Sequence, residues 1–199
     1  MTDAVELRTE RFEIRTMRED DDLSPLKTWF ADPAFCAKMN SPAYLYDDDK
    51  LRRYLAAFDN RTSFFLGLFD RASGFQFGYI IVTLDRRNRN GIWHVGFYDR
   101  RYRGREGVYG VSVAVIDWIF KERGMMKLVS RIDASRTAFR AVLSRLGFVL
   151  EGVLRSELER ADGSGRIDQA QFGLLADEWP EVRRRILERL RERKSPGRA

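Results

Sequence analysis

The chain has 199 residues, 44% of them hydrophobic and 33% charged, enough for one domain with a proper core and the balance of an ordinary soluble globular protein. The one cysteine, Cys36, excludes an internal disulfide and reads as a small buried hydrophobe of a reducing, cytoplasmic compartment. One cysteine and one histidine leave no usual ligand set for zinc, so no metal is expected. The net charge is +6, but residues 181–199 carry eight Lys/Arg against three acids, so the body is nearly neutral and the basicity is a property of the tail. Such a tail attracts polyanions without sequence preference, or is simply a solvated helix face. No secretory signal is expected at Met1–Arg11, and Asp117 interrupts the longest apolar run before it could span a bilayer, so no membrane partner is expected.

In chain order, "LRTERFEIRTM" reads as an opening strand. "DLSPLKTWFADPAFCAKM" and "DDDKLRRYLAAF" read as two helices, the second with Asp47, Asp48 and Asp49 complementing its positive start. "SFFLGLFD", "FQFGYIIVTL" and "IWHVGFY" are β-rich runs joined by the turns "RASG" and "DRRNRNG". A helix is expected from Val108 to Lys121, closing at Gly124. "KLVSRID" is the next strand. "SRTAFRAVLSRLGF" follows as a helix, with Ser135 as its N-cap and Phe139, Val142, Leu143 and Leu146 on one face. "VLEGVLRSELER" and "RIDQAQFGLLA" form a closing hairpin around "ADGSG". The last helix, "DEWPEVRRRILERLRERK", carries the stripe Val182, Ile186 and Leu190, and disorder is expected from Ser195 onward. The fold class is therefore α+β around one mixed sheet, with residues 1–179 as the domain and 180–199 as a basic C-terminal helix and tail.

Between the third β-rich run and its helix lies "RYRGREGVYG", a loop of arginines and glycines with an acid, Glu106, in its middle. With "YRGREG", "RTAFRAVLSRLGFVLEGVLRSE" and "FGLLADEW", the chain from Leu7 to Trp179 resembles the GNAT (Gcn5-related) N-acyltransferases, and within them the RimJ/RimL-like branch. The resemblance implies a mostly antiparallel sheet of about seven strands flanked by helices, with two strands splayed apart. The pantetheine of an acyl-CoA would lie in that gap, and its pyrophosphate would rest on N–H groups at a helix start. Acetyl-CoA or another acyl-CoA is the implied co-substrate, with Arg101, Arg103, Gly104, Arg105, Glu106, Gly107, Val108 and Arg136 as the donor-binding set.

Three positions depart from the family pattern. Glu106 stands where a final Gly or Ala is usual, and a carboxylate about 4 Å from a phosphate costs roughly 1 kcal/mol in water and ~4 near a protein surface. Arg101, Arg103 and Arg105 are the expected counterweights, and Gly107 would let the loop shift by one residue. Arg136 replaces an asparagine, and Leu143 replaces a tyrosine that protonates the leaving thiolate; Leu143 reads as core and has no proton to give.

On the acceptor side the resemblance places a base at His94, whose intrinsic pKa near ~6.5 suits proton removal from an ammonium. A half-buried strand residue without chemistry is the equal alternative. Glu151, Glu157 and Asp168 are further candidate bases, with surface charge the simpler role. Tyr44 and Tyr46 are expected to border the acceptor cleft; Trp29, Trp93 and Trp118 belong to the core. Three functions compete. The first is acyl transfer from acyl-CoA to an amine-bearing acceptor by a monomer or homodimer. The second is an aminoacyl-tRNA-dependent transferase that uses the arginines and basic tail to meet tRNA. The third is a degenerate binding domain without turnover.

Overall fold

A computed structural model describes residues 4–104 and 106–192. The order is β1 (Glu6–Arg8), β2 (Phe12–Thr16), α1 (Ser24–Ala31), α2 (Pro33–Lys38), α3 (Asp48–Ala56), β3 (Ser63–Asp70), β4 (Gln76–Asp85), β5 (Asn90–Phe97), α4 (Val111–Asp117), β6 (Lys127–Asp133), α5 (Thr137–Arg145), β7 (Val149–Glu159), β8 (Arg166–Leu175) and α6 (Trp179–Glu192). One eight-stranded sheet runs β1-β2-β3-β4-β5-β6-β8-β7, antiparallel except where β5 meets β6. This is the expected mixed α+β fold, with one strand more than the resemblance implied.

The extra strand comes from the opening segment. Thr9 folds it on itself: its N–H donates to the Phe12 carbonyl and its Oγ1 accepts from the Phe12 N–H, both at 2.8 Å. The single expected strand is thus a hairpin. The first expected helix is also two. Pro33 has no N–H and holds Asp32 out of the helical region (φ −81°, ψ 106°), and the Asp32 carboxylate caps the new start by accepting from Ala34 and Phe35. Ser135 does not cap α5. Its hydroxyl is taken by Asp133 at 2.7 Å, and Arg136 holds the cap position without a side-chain bond.

Two cores sandwich the sheet. One face packs Phe64, Leu66, Phe77, Val82 and Trp93 against the helical layer of α4, α5 and α6, with Leu143, Leu146, Trp179, Val182 and Ile186 inside it. The other packs Phe65 and Tyr79 beneath α1–α3 through Leu26, Trp29, Phe35 and Leu51. The second layer covers β3–β5 only. Leu190 of the C-terminal stripe is partly buried on the first core, and the residues from Ser195 onward, where disorder was expected, lie outside the described ones. No helix among the described residues is long and apolar enough to cross a membrane.

Candidate active site

β5 and β6 pair in parallel for three residues only, Asn90–Lys127, Gly91–Leu128 and Ile92–Val129. Beyond that point β5 stays bonded to β4 as far as Phe97, and β6 stays bonded to β8 as far as Asp133. Each strand is held from its other side, so the two part without fraying. The gap opens at their C-terminal ends, where the segments leading to α4 and α5 both begin; ligands of parallel strands characteristically bind at that end. Trp93 is the first β5 residue past the pairing. It is buried and stacked on Phe148 (centroids 5.7 Å apart), and its indole N–H has no acceptor among the described residues.

The arginine-rich loop lies at the mouth of this gap, and its side chains are occupied. Arg101 is bound to Asp99 at 2.6 Å, and the same carboxylate caps the Arg100–Tyr102 turn through the Arg101 N–H. Arg103 donates to the carbonyls of Phe97 (3.1 Å) and Tyr98 (2.7 Å), tying the loop to the end of β5. Arg136 donates to the Lys38 carbonyl at the end of α2 and lies over the Phe139 ring. Arg105 lies outside the described residues. Glu106 opens a π-helical turn, Glu106–Gly110, and its carboxylate meets Arg11 at 3.2 Å rather than Arg101 or Arg103; Arg11 also holds Asp70 at 3.2 Å. For Arg101 and Arg103 the expectation is therefore corrected: among the described residues the acid is met from the β1–β2 turn.

The main chain remains. Gly104 is open, with nothing near the position of a Cβ, whereas a Cβ on Gly107 would overlap the Tyr102 carbonyl oxygen. Gly107 is thus a packing requirement and not slack for a shifted loop. The Val108 N–H closes a turn onto Gly104 O at 3.0 Å, which removes it from the expected phosphate donors. An open glycine before a helical segment beside a strand gap is a fit for an extended phosphate-bearing molecule. A concavity of about 680 Å³ is lined by this loop, from Arg101 to Gly110, together with Arg11, Leu187 and Leu190, and includes neither His94 nor β6.

His94 stands on the β5 face turned toward the α1–α3 layer, paired with Ile81 of β4. Solvent reaches the ring, yet protein walls it on several sides; that desolvation, followed by the positive charge of Arg131, holds its pKa below 6.5. It is neutral at neutral pH and can accept a proton. The other candidate bases are committed or bare. Glu151 is bound by Lys127 and Gln171, which hold its carboxyl below the usual range against the opposing effect of burial. Asp168 accepts from the Ser156 N–H at 2.7 Å, where β7 bulges with Ser156 at φ +50°. Glu157 is exposed. Leu143 is fully buried, as its place on the apolar stripe implied.

Tyr46 packs into the aromatic cluster with Phe30 and Tyr54, while Tyr44 is exposed and touches Tyr46 at 4.6 Å between centroids. Two residues that sequence reasoning passed over shape this side. Asn40, left-handed at φ +49°, donates to Glu159 O and accepts from the Ala161 N–H, both at 3.0 Å, locking the loop after α2 to the β7–β8 turn. Arg131 stands on the same sheet face as His94, on β6, with its Nε bonded to Gln171 of β8; the alternation Val129, Arg131, Asp133 in "KLVSRID" was the available signal. No group of three or more His, Cys, Asp or Glu among the described residues could hold a metal ion.

Comparison with known proteins gives concordant results. Residues 11–149 match the family model described as an acetyltransferase (GNAT) domain. Among solved structures, the fold is similar to a GCN5-related N-acetyltransferase from Brucella melitensis (TM-score 0.75, 17% identity, covering 92% of this chain and 84% of that one). It is equally similar to spermidine N-acetyltransferase from Vibrio cholerae in complex with CoA and spermine (TM-score 0.75, 14% identity, 86% and 99% covered). The ribosomal-protein-S5-alanine acetyltransferase from Vibrio fischeri scores 0.65 at 17% identity, with 88% and 98% covered. No curated protein sequence matches the chain.

Proposed function

The chain belongs to the GNAT acetyltransferase family, and from that premise we propose that it moves an acyl group from acyl-CoA, with acetyl-CoA the default, to a primary amine of a small molecule or protein. The observation that carries this reading is the parting of β5 from β6 after Ile92 and Val129, with the Arg100–Gly110 segment at its mouth. The gap takes the pantetheine arm, and the main chain around Gly104 takes the phosphates. His94 accepts the proton lost by the acceptor ammonium; the amine nitrogen bonds to the acyl carbon as the C–S bond breaks, the nitrogen releases its second proton to water, and the thiolate leaves. With Leu143 in the core, that thiolate takes its proton from water or another side chain. Placing both substrates at one opening supplies a large part of the rate. A cytoplasmic location, in keeping with the single buried free cysteine, is part of the proposal.

The competing aminoacyl-tRNA reading relied on Arg100, Arg101, Arg103, Arg105, Arg136 and the basic tail. Three of these are bound internally and Arg105 is outside the described residues, so acyl-CoA ranks first. Thermal-shift titration with acetyl-CoA, CoA and charged tRNA, at low and moderate salt, tests the choice. Stabilisation by both CoA species is expected. Salt-sensitive stabilisation by tRNA alone would favour the rival, and silence from all three a domain without turnover.

A further inference from the structure

We infer that the acceptor amine carries a carboxylate close to its nitrogen, as an amino acid does, and that the guanidinium of Arg131 holds that carboxylate across the strand gap from His94. The inference rests on His94 as the base. Continuing the β5–β6 register two residues past Ile92–Val129 sets His94 level with Arg131 on the same face, beyond the last paired residues. That face of β6 and β8 is left bare by the α1–α3 layer, and both side chains are exposed.

Arg131 is also aimed. Its Nε donates to Gln171 Oε1 at 2.9 Å, Gln171 Nε2 donates to Glu151 Oε2 at 3.0 Å, and Lys127 holds the same carboxylate. This relay fixes the guanidinium plane through one nitrogen and leaves both Nη groups without a partner among the described residues, an open fork of the kind that grips a carboxylate in two bonds. The neighbouring acids do not fill it: Asp133 accepts from Ser135, Asp168 from Ser156, and Glu151 is already shared.

An unpaired arginine beside a base works against an acceptor that brings only positive charge. It repels the ammonium that His94 must deprotonate and the imidazolium that results. A polyamine adds a second cation and worsens both effects. A zwitterion resolves them, because its carboxylate cancels the Arg131 charge while its ammonium goes to His94. The acceptor class thus differs from that named for the structurally similar spermidine enzyme.

His94 is the only histidine in the chain, so its imidazole resonances are unambiguous by NMR. The intact protein, without acyl donor, is titrated over pH with three probes: a mixture of free amino acids, the matching amino acid amides, and spermidine. Free amino acids are expected to shift the His94 signal saturably, while amides and spermidine leave it unchanged. Arg131→Gln should raise the His94 pKa without ligand and abolish the response. Arg131→Lys, which keeps the charge and loses the fork, should keep the pKa but weaken amino acid binding by about tenfold or more. Equal responses to amides, a response to spermidine, no response to any probe, or an unaffected Arg131→Gln protein would each overturn the inference. Because no donor is present, these readings do not depend on turnover; acetylation of spermidine in preference to amino acids would overturn the inference while leaving acyl transfer standing.

Discussion

Arg11 Nη1 and Glu106 Oε2 lie 3.2 Å apart, joining the β1–β2 turn to the start of the helical segment after β5. The pair is exposed, with 46% of each side chain accessible, so its contribution to stability is small, about 0–1 kcal/mol. Its effect falls on the loop: Arg11 partly cancels the acid nearest the proposed phosphate site. Glu106→Gln is expected to tighten CoA binding by up to about tenfold at low salt, and Arg11→Ala to weaken it by a smaller factor. Both effects should shrink in high salt. Calorimetric titration at two ionic strengths checks this, and CoA affinity indifferent to both substitutions would remove Glu106 from the donor site.

The two loop glycines separate donor binding from folding. Alanine at Gly107 would drive its Cβ into the Tyr102 carbonyl, a backbone atom that cannot swing aside. Gly107→Ala should therefore cost about 2 kcal/mol or more, lowering the melting temperature by roughly 4–8 °C for a domain of this size. Gly104 faces open space, so Gly104→Ala should leave the unliganded melting temperature within about 2 °C while weakening CoA through the added Cβ. A Gly104→Ala protein that binds CoA normally would place the phosphates elsewhere.

The alternating and helical patterns were legible because burial imposes them. The stripe Phe139, Val142, Leu143 and Leu146 and the run "KLVSRID" sit where hydrophobic periodicity placed them. Local turn chemistry was harder to read. Thr9 bending β1 onto β2, and Asp32 with Pro33 splitting a helix, are decisions of one or two hydrogen bonds inside segments whose wider pattern points to continuity. In the site, the place of the loop was legible and the partners of its arginines were not. Nothing in "RYRGREG" says that Arg103 turns back to Phe97 and Tyr98, or that Glu106 meets an arginine 95 residues earlier. A guanidinium reaches any of several carbonyls or carboxylates, and only the folded chain selects one.

Asp117, which the sequence shows only as a break in an apolar run, clamps α6 to α4. Its Oδ1 accepts from Trp179 Nε1 at 2.8 Å and its Oδ2 from Arg183 Nε at 2.7 Å, and Lys121 stands 2.9 Å away. Trp179 is 1% exposed, so without Asp117 its indole N–H has no solvent to turn to. Asp117→Ala is expected to cost about 2–3 kcal/mol, a fall in melting temperature of roughly 4–12 °C. Arg183→Ala, which leaves the Trp179 bond intact, should cost less. Equal, small effects from the two would mean that α6 is held by its apolar stripe alone.

The solitary histidine also separates its own acid response from that of the carboxylates. Desolvation and Arg131 place the folded pKa of His94 below 6.5, near which it titrates in the unfolded chain. Below that value the unfolded state binds more protons than the native state, so stability falls as pH drops and recovers as pH rises through the window. The carboxylates held by hydrogen bonds, such as Asp59 and Asp133, titrate lower still. Denaturant melts between about pH 5 and 6.5 should therefore report His94, and His94→Gln should flatten that part of the curve. With His94 as the proposed base, the same shift governs turnover, since only neutral imidazole can take the ammonium proton. kcat/KM for the acceptor should show an acidic limb centred below pH 6.5 that disappears in His94→Gln together with most of the rate, about 10²-fold or more. If the variant kept both the rate and the limb, the base would have to be another group, and Glu157, exposed on β7, would be the next to test.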